Sequence, residues 1–253
     1  MLTARKSYLS REKMLAFLGE LEATDSTATS LYLPAGLSPE EISELVEKVD
    51  PDNATPGVAD LAISSPTGTV IFWSQTQKYV VLPPLPVSEE RFHHGFIAAP
   101  LASLLSHDYR IGVVLVRLGS YAVGFCRGEN LVASKVGTGN IHARHRQGGS
   151  SARRFQRHRE KQIESFLIRV CGHIEEILRP QAKSLDYVVY GGAQTTILLL
   201  QKRCPFLQQF ADRSLPPLLD IADPRQPVLE KTIGRIWSST VIEWSENEQT
   251  APG

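Results

Sequence analysis

Cysteine is scarce in this chain: Cys126, Cys171 and Cys204 are the only three in 253 residues. So sparse and odd a set argues against a disulfide framework and for a reducing compartment. Their spacings match no metal motif, so all three are expected as free thiols packed like small hydrophobes. Long apolar runs are also missing. Nothing approaches the roughly 18 consecutive apolar residues that cross a bilayer. The opening stretch MLTARKSYLSREKM has no apolar h-region, which argues against a secretory signal, and Glu12 beside its Arg and Lys argues against a transit peptide. Net charge is absent too, with 27 Lys and Arg against 27 Asp and Glu. Hydrophobic residues at 42% are nevertheless enough for a real core, in one large domain or two small ones.

The zero net charge hides a concentration. Between His142 and Gln162 stand seven Arg and Lys and one acid, Glu160. That segment is +6 and the rest of the chain −6. Basic charge gathered in one place is the footprint of an anionic partner.

Periodicity divides the chain. Ser10–Leu21 carries Met14, Leu15, Leu18 and Leu21 at helical spacing. Thr29–Leu33 reads as a strand. Ser38, Pro39 and Glu41 spell a helix start with a capping box, the helix running to about Val49. Thr69–Trp73 and Lys78–Leu82 read as paired strands, PPLPVSEERFHHG as a linker or ordered loop, and Phe96–Leu105 as a short helix. Three strands follow, Ile111–Leu118, Tyr121–Arg127 and Asn130–Val136, joined by tight turns at Gly119-Ser120 and Gly128-Glu129. A glycine-rich basic loop, Gly137–Gly149, leads into a long helix over about Ser151–Leu178, with Phe155, Ile163, Phe166, Leu167, Val170, Ile174 and Ile177 on one face. Then come a strand (Asp186–Tyr190), a helix (Thr195–Phe210), a short strand (Leu218–Ile221), a helix (Val228–Trp237) and a last strand (Ser239–Trp244). The expected fold class is α/β with a mixed sheet, and the second half, βββ-α-β-α-β-α-β, has the order of a ribonuclease H-like fold. A fold alone does not assign a function.

The chemistry gathers in KVGTGNIHARHRQGGSSARRFQRHREKQ, Lys135–Gln162. Arg144, Arg146, Arg153, Arg154, Arg157, Arg159 and Lys161 can neutralise phosphates and release counterions. Arg outnumbers Lys six to one among these seven, and its planar fork takes phosphate in a bidentate grip. Gly148-Gly149 lets the backbone approach a ligand closely. Ser150 or Ser151 can cap the next helix, whose first N–H groups favour an anion. The competing reading is a solvated charged helix face. The charge is single-signed, however, so i,i+4 ion pairing does not account for it.

These residues resemble a known family. RQGGSSARRFQRHREKQ is similar to the GGQ-containing segment of eukaryotic and archaeal class I release factors, GGQSALRFARLR. Gly148, Gly149, Ser151, Ala152, Arg154, Phe155 and Arg157 fall on matching positions. The surroundings look closer still to the Vms1-like release-factor (VLRF) peptidyl-tRNA hydrolase domains, especially those of actinobacteria and chloroflexi. APLASLL (Ala99–Leu105), VVLVRLGSYAVG (Val113–Gly124) and KVGTG (Lys135–Gly139) support this, and the resemblance runs from about Leu31 to Trp244.

The resemblance implies a cytoplasmic protein that enters the peptidyl-transferase centre of a stalled large ribosomal subunit. Its partners would be peptidyl-tRNA and rRNA, with no DNA, membrane, metal or cofactor. The loop would hold the rRNA and the CCA end, through Arg144, Arg146, Ser151, Arg153, Arg154, Arg157, Arg159 and Lys161. A glutamine would place water at the ester carbonyl. The expected domains are an N-terminal α/β region (1–105), a ribonuclease H-like release-factor domain (106–245) and a disordered tail (246–253). The chain departs from the family at the glutamine. Ser150 follows Gly-Gly where release factors carry Gln, and Ala152 stands at the GxxQ position. The loop's own glutamine is Gln147, so Gln147, Gly148, Gly149 and Ser150 form the candidate catalytic group. Two alternatives stay open: a non-catalytic RNA- or ribosome-binding protein of the same shape, and an adaptor whose basic helix binds an acidic protein.

Other constellations are weaker. A two-metal nuclease needs converging carboxylates, and the three consecutive strands contain none. His142, His145 and His158 lack zinc spacing. His93-His94 is expected to be exposed, Gly191-Gly192 to serve strand-to-helix turning, and Trp73, Trp237 and Trp244 to be core residues.

Overall fold

A computed structural model describes residues 2–21, 28–51, 55, 57–141 and 150–246. The chain forms two compact units. The first comprises residues 1–107 and 234–253, the second residues 108–233.

The first unit is a six-stranded, wholly antiparallel sheet between two helical layers. Its strands are β1 (Leu2–Leu9), β2 (Thr29–Leu33), β3 (Thr69–Trp73), β4 (Lys78–Leu82), β5 (Arg91–His94) and β10 (Ser239–Glu246), in the order β1-β10-β4-β3-β2-β5. Alternation along the strands feeds two cores. Leu31, Leu33, Ile71, Trp73, Val80, Ile242 and Trp244 pack with α2 (Pro39–Glu47) and α3 (Val58–Ser64). Tyr32, Val70, Phe72, Val81 and Val241 pack with α1 (Arg11–Glu20) and α4 (Ala99–Ser106). The capping box at α2 is present as its sequence requires: Ser38 Oγ accepts from the Glu41 N–H at 3.2 Å, and the Glu41 carboxylate accepts from the Ser38 N–H at 2.8 Å. Arg11 Nε donates to the Leu105 carbonyl at 2.6 Å at the end of α4, while its guanidinium lies 4.3 Å from the Trp237 ring centroid.

The second unit holds β6 (Arg110–Arg117), β7 (Ser120–Arg127), β8 (Asn130–Thr138) and β9 (Tyr187–Gly192) in the order β8-β7-β6-β9. The first three form an antiparallel meander, and β9 joins β6 in parallel. Beyond β9, Ser214 and Leu218 make parallel bridges to Val188 and Gly191. This mixed 3-2-1-4 order with a rudimentary fifth member is the ribonuclease H-like arrangement that the order of elements predicts. Val114, Val116, Tyr121, Val123, Phe125, Val188 and Tyr190 face the long helix α5 (Ser150–Leu178) and α6 (Gln194–Arg203). On the other face a side chain at Gly124 would meet Leu229 of α7 (Gln226–Ile236).

Several expectations are corrected. The last strand does not complete the second domain. It inserts between β1 and β4, so residues 234–253 join residues 1–107 in the first unit. An amphipathic strand's local pattern says nothing about which distant edge it joins. The loop expected after Pro83 contains β5, paired with β2, and His93 packs edge-on against Tyr32, half-buried. The helix expected over 195–210 stops at Arg203 and continues as a 3-10 segment, Pro205–Arg213, because Pro205 can neither donate nor tolerate the preceding turn. The first meander turn is Leu118–Gly119, one residue earlier than expected, with Gly119 at φ 104°.

The cysteines differ most. Cys171 in α5 and Cys204 just after α6 form a disulfide, their Cα atoms 5.4 Å apart across a sequence separation of 33. Helix packing brings them together, and spacing along the chain carries no trace of it. The cysteine argument for a reducing compartment therefore rests on one thiol. Cys126 alone is free; it is buried, and burial pushes its thiol up to about 12.

Candidate functional site

The basic segment maps onto the first half of α5. This helix of 29 residues is about 43 Å long. Only its later part is anchored, through Phe166, Leu167, Val170, Cys171, Ile174 and Leu178, with Ile163 partly buried ahead of them. Among the described residues, none of Arg154–Gln162 belongs to that core. There Arg154, Arg157 and Lys161 are exposed and share one side of the helix at i, i+3 and i+7. Among the described residues no carboxylate pairs with these three. Arg159 is half-buried. Glu160, the segment's one acid, accepts from Gln156 Nε2 at 2.9 Å. Further along, Glu164 is engaged by Arg203 of α6 at 2.8 Å. The result is an anchored rod whose free end presents unneutralised guanidinium and ammonium groups, an arrangement suited to a polyanion.

The helix begins at Ser150, one residue earlier than expected, so Ser150 and Ser151 lie in its first turn. Arg144, Arg146, Gln147, Gly148 and Gly149 lie outside the described residues, as do His142 and His145. Ser150, Ser151 and Arg153 are placed on the helix by their backbone alone. Arg154, Arg157, Arg159 and Lys161 are the candidate residues that the structure brings together.

What leads into the loop is well defined, and here charge-based reasoning overlooked important residues. The exit of β8 runs Gly137-Thr138-Gly139. A side chain at Gly137 would clash with the Tyr121 hydroxyl, and one at Gly139 with the buried Phe166 ring. Tyr121 stacks on His173 of α5, with its hydroxyl hydrogen-bonded to Nδ1. Arg169 donates to the Thr138 carbonyl at 3.0 Å, and the Gly139 N–H donates to the Gly119 carbonyl at 2.8 Å. Ile141 then packs against the core. Both ends of the basic loop are therefore fixed to one framework, its start by Tyr121, Phe166 and Arg169 and its end by α5. The available sequence signal was glycine alternating within a strand pattern, which marks close approach.

This gives a stability test. Gly139→Val is expected to cost about 1–3 kcal/mol, because the buried Phe166 must move. Gly172→Ala, where nothing lies within 4 Å of the new methyl on the exposed side of α5, is expected to gain about 0.5–1 kcal/mol of helix propensity. Urea denaturation of both variants reads the difference, and equal midpoints would show that β8 does not need its glycine.

Elsewhere the polar groups are structural. Asp186 Oδ2 accepts from the Arg110 N–H at 2.7 Å. Asp223 is held below the usual carboxylate range, first by the Ser120 hydroxyl and then by Arg225. Gly191-Gly192 closes β9: the Gly192 N–H donates to the Leu218 carbonyl at 2.9 Å, and its φ of 120° beside the Val116 carbonyl demands glycine. Cys171, Glu175 and Cys204 converge, but the two sulfurs are bonded to each other. Trp73, Trp237 and Trp244 are buried.

Residues 109–242, just over half of the chain and nearly all of the second unit, match the Actinobacteria/chloroflexi VLRF1 release factor family. The chain belongs to this family. That membership gives it a translation-related role and accords with the resemblance carried by the basic loop. Among curated proteins, peptide chain release factor subunit 1 of Thermococcus sibiricus is 27% identical over 127 residues, covering 49% of this chain and 31% of the relative. The same factor of Methanosphaera stadtmanae is 30% identical over 118 residues, covering 46% and 29%. The chain thus spans under a third of the length of these relatives. Among solved structures, the archaeal translation termination factor aRF1 matches with a TM-score of 0.41 at 18% identity, over 90% of this chain and 73% of that one. Pelota of Archaeoglobus fulgidus matches with a TM-score of 0.28 at 8% identity, over 91% and 64%. The fold assignment rests on strand order rather than on these superpositions. Among the described residues no helix is long and apolar enough to cross a membrane.

Proposed function

We propose that this VLRF1-family protein acts in the cytoplasm on stalled large ribosomal subunits, where it hydrolyses the ester of peptidyl-tRNA and frees the nascent chain. The observation that carries the reading is the cationic end of α5, projecting from a release-factor domain and joined to a Gly-Gly loop. Arg154, Arg157, Arg159 and Lys161, with Arg144, Arg146, Ser151 and Arg153, hold rRNA and the tRNA end through phosphates. The loop then reaches the ester. Water attacks the carbonyl carbon, the bond to the ribose oxygen breaks, and that oxygen leaves protonated as the terminal hydroxyl. Gly148, Gly149 and Ser150 offer backbone donors to the developing oxyanion, and Gln147 orients the water. Positioning and electrostatic stabilisation supply most of the rate.

A second reading has its own observation. Ser150 and Ala152 occupy both positions where the wider family carries glutamine, as expected of a protein that binds the same site without hydrolysis. Peptide release from purified large subunits charged with peptidyl-tRNA separates the two. Release by the wild type that is abolished in Gln147→Ala supports the displaced glutamine. Release that persists in Gln147→Ala removes that residue from the chemistry. Binding without release, with activity gained in Ala152→Gln, establishes the non-catalytic form.

A further inference from the structure

The bridge between α5 and α6 has a third neighbour. Cys171 and Glu175 stand one turn apart on α5, at i and i+4, and Cys204 follows α6 directly. The two sulfurs and a Glu175 carboxylate oxygen lie within 4.8 Å of one another. Cys171 Sγ is 3.7 Å from Glu175 Oε1, while Glu175 Oε2 is held by the Arg179 guanidinium. Arg179 in turn lies 5.0 Å from the ring centroid of Phe206, two residues beyond Cys204. One carboxylate oxygen is thus anchored from outside, and the other is turned toward the sulfurs. Both cysteines are buried and Glu175 is half-buried. A structural bridge needs only the two cysteines. The oriented carboxylate beside them completes a set of three metal donors.

We propose that Cys171 and Cys204, as thiols, bind a zinc ion together with Glu175, and that the disulfide is the oxidised, metal-free state of the same site. This goes beyond the function proposed above and does not depend on it. Two thiolates and a carboxylate suit zinc, because soft sulfur donors disfavour magnesium and calcium. Water fills the fourth tetrahedral position, on the exposed side of Glu175. Sulfurs sharing a tetrahedral zinc at about 2.3 Å each stand about 3.8 Å apart. Rotation of the two side chains over a Cα separation of 5.4 Å supplies that opening. Arg179 is the outer partner that fixes the carboxylate and offsets the surplus negative charge. Zinc binding releases the two thiol protons. Oxidation by a small disulfide reverses it. The two thiolates give up two electrons and form the S–S bond, the oxidant takes those electrons with two protons and leaves as two thiols, and zinc is freed. The tie between α5 and α6 is then ionic in one redox state and covalent in the other.

The test uses the full chain, reduced with a thiol-free phosphine that adds no competing sulfur ligand, and titrated with cobalt(II) as a spectroscopic stand-in for zinc. The reduced wild type is expected to take up one equivalent with a thiolate-to-cobalt charge-transfer band, which one equivalent of zinc bleaches. The oxidised chain is expected to show no such band. Cys204→Ala is expected to lose it. Glu175→Gln is expected to weaken binding by about tenfold or more, and Arg179→Ala by about 10- to 100-fold with the band retained. The oxidised chain is folded with both sulfurs occupied, so it remains the reference if Cys204→Ala does not fold. Absence of the band in the reduced wild type overturns the site. A band that persists in the oxidised chain or in Cys204→Ala also overturns it, since the ion then sits elsewhere. Glu175→Gln binding as tightly as the wild type removes the carboxylate and overturns the three-donor site.

Discussion

Replacing Arg154 and Arg157 together by alanine is expected to lower affinity for large ribosomal subunits by about 15- to 30-fold at 0.15 M salt, and to reduce the salt slope by about 1.4–1.8. The reasoning is additive. Each guanidinium that neutralises a phosphate releases a fraction of a counterion, and at this ionic strength each release is worth about four- to fivefold. Both residues are exposed, and neither has a carboxylate partner among the described residues, so removing them should leave folding untouched. A thermal melt superimposable on the wild type would confirm that. An intact slope in the double variant would mean that the basic face of α5 does not touch phosphate, and the proposed mode of binding would fall.

The second large effect concerns stability. Cys204→Ala is expected to lower the melting temperature by about 10 °C under non-reducing conditions. The bridge closes a separation of 33 residues, for which the chain-entropy relation gives about 4 kcal/mol. A chain of this size converts that at about 3 °C per kcal/mol. The wild type melted in strong reductant should approach the variant, and the variant should be insensitive to reductant. Cys126 does not complicate the result, because its buried thiol, pushed up to about 12, stays protonated near neutrality. If wild type and variant melt together without reductant, the bridge contributes nothing. The conditions of synthesis matter equally: a reducing compartment would remove this tie between α5 and α6.

Much of this molecule is legible in the sequence where short-range physics decides. Thr29–Leu33, Thr69–Trp73 and Lys78–Leu82 occur with the bounds their apolar runs suggest. Ser38 and Glu41 cap α2 because the box is written within four residues. The meander and the long helix are set by period and by turn glycines. The failures are of three kinds. Ser239–Glu246 and the two bridged cysteines depend on partners far along the chain, which periodicity does not encode. β1 is an edge strand with exposed side chains, so it carries little apolar alternation to read. The stop at Arg203 was written in the sequence as Pro205 and was overridden by the apolar spacing that continues to Phe210. At the site, the charge was plain because it is single-signed. The framework of Tyr121, Phe166 and Arg169 around Gly137 and Gly139 was not, because it joins three separate elements.

The place of Ser239–Glu246 between β1 and β4 bears on how the protein is made. As the chain emerges from the ribosome, residues 108–233 hold all they need to close upon themselves, whereas β1, made before them, pairs among the described residues with β10 alone, from Leu2 against Glu246 to Leu9 against Ser239. Until that late segment arrives, β4 keeps an open edge bearing Val80 and Val81, a ready template for wrong pairing. A product truncated before Ser239 would carry a complete second unit and an unsealed sheet in the first. Completion of the six-stranded sheet thus reports that translation of this very chain has passed Glu246.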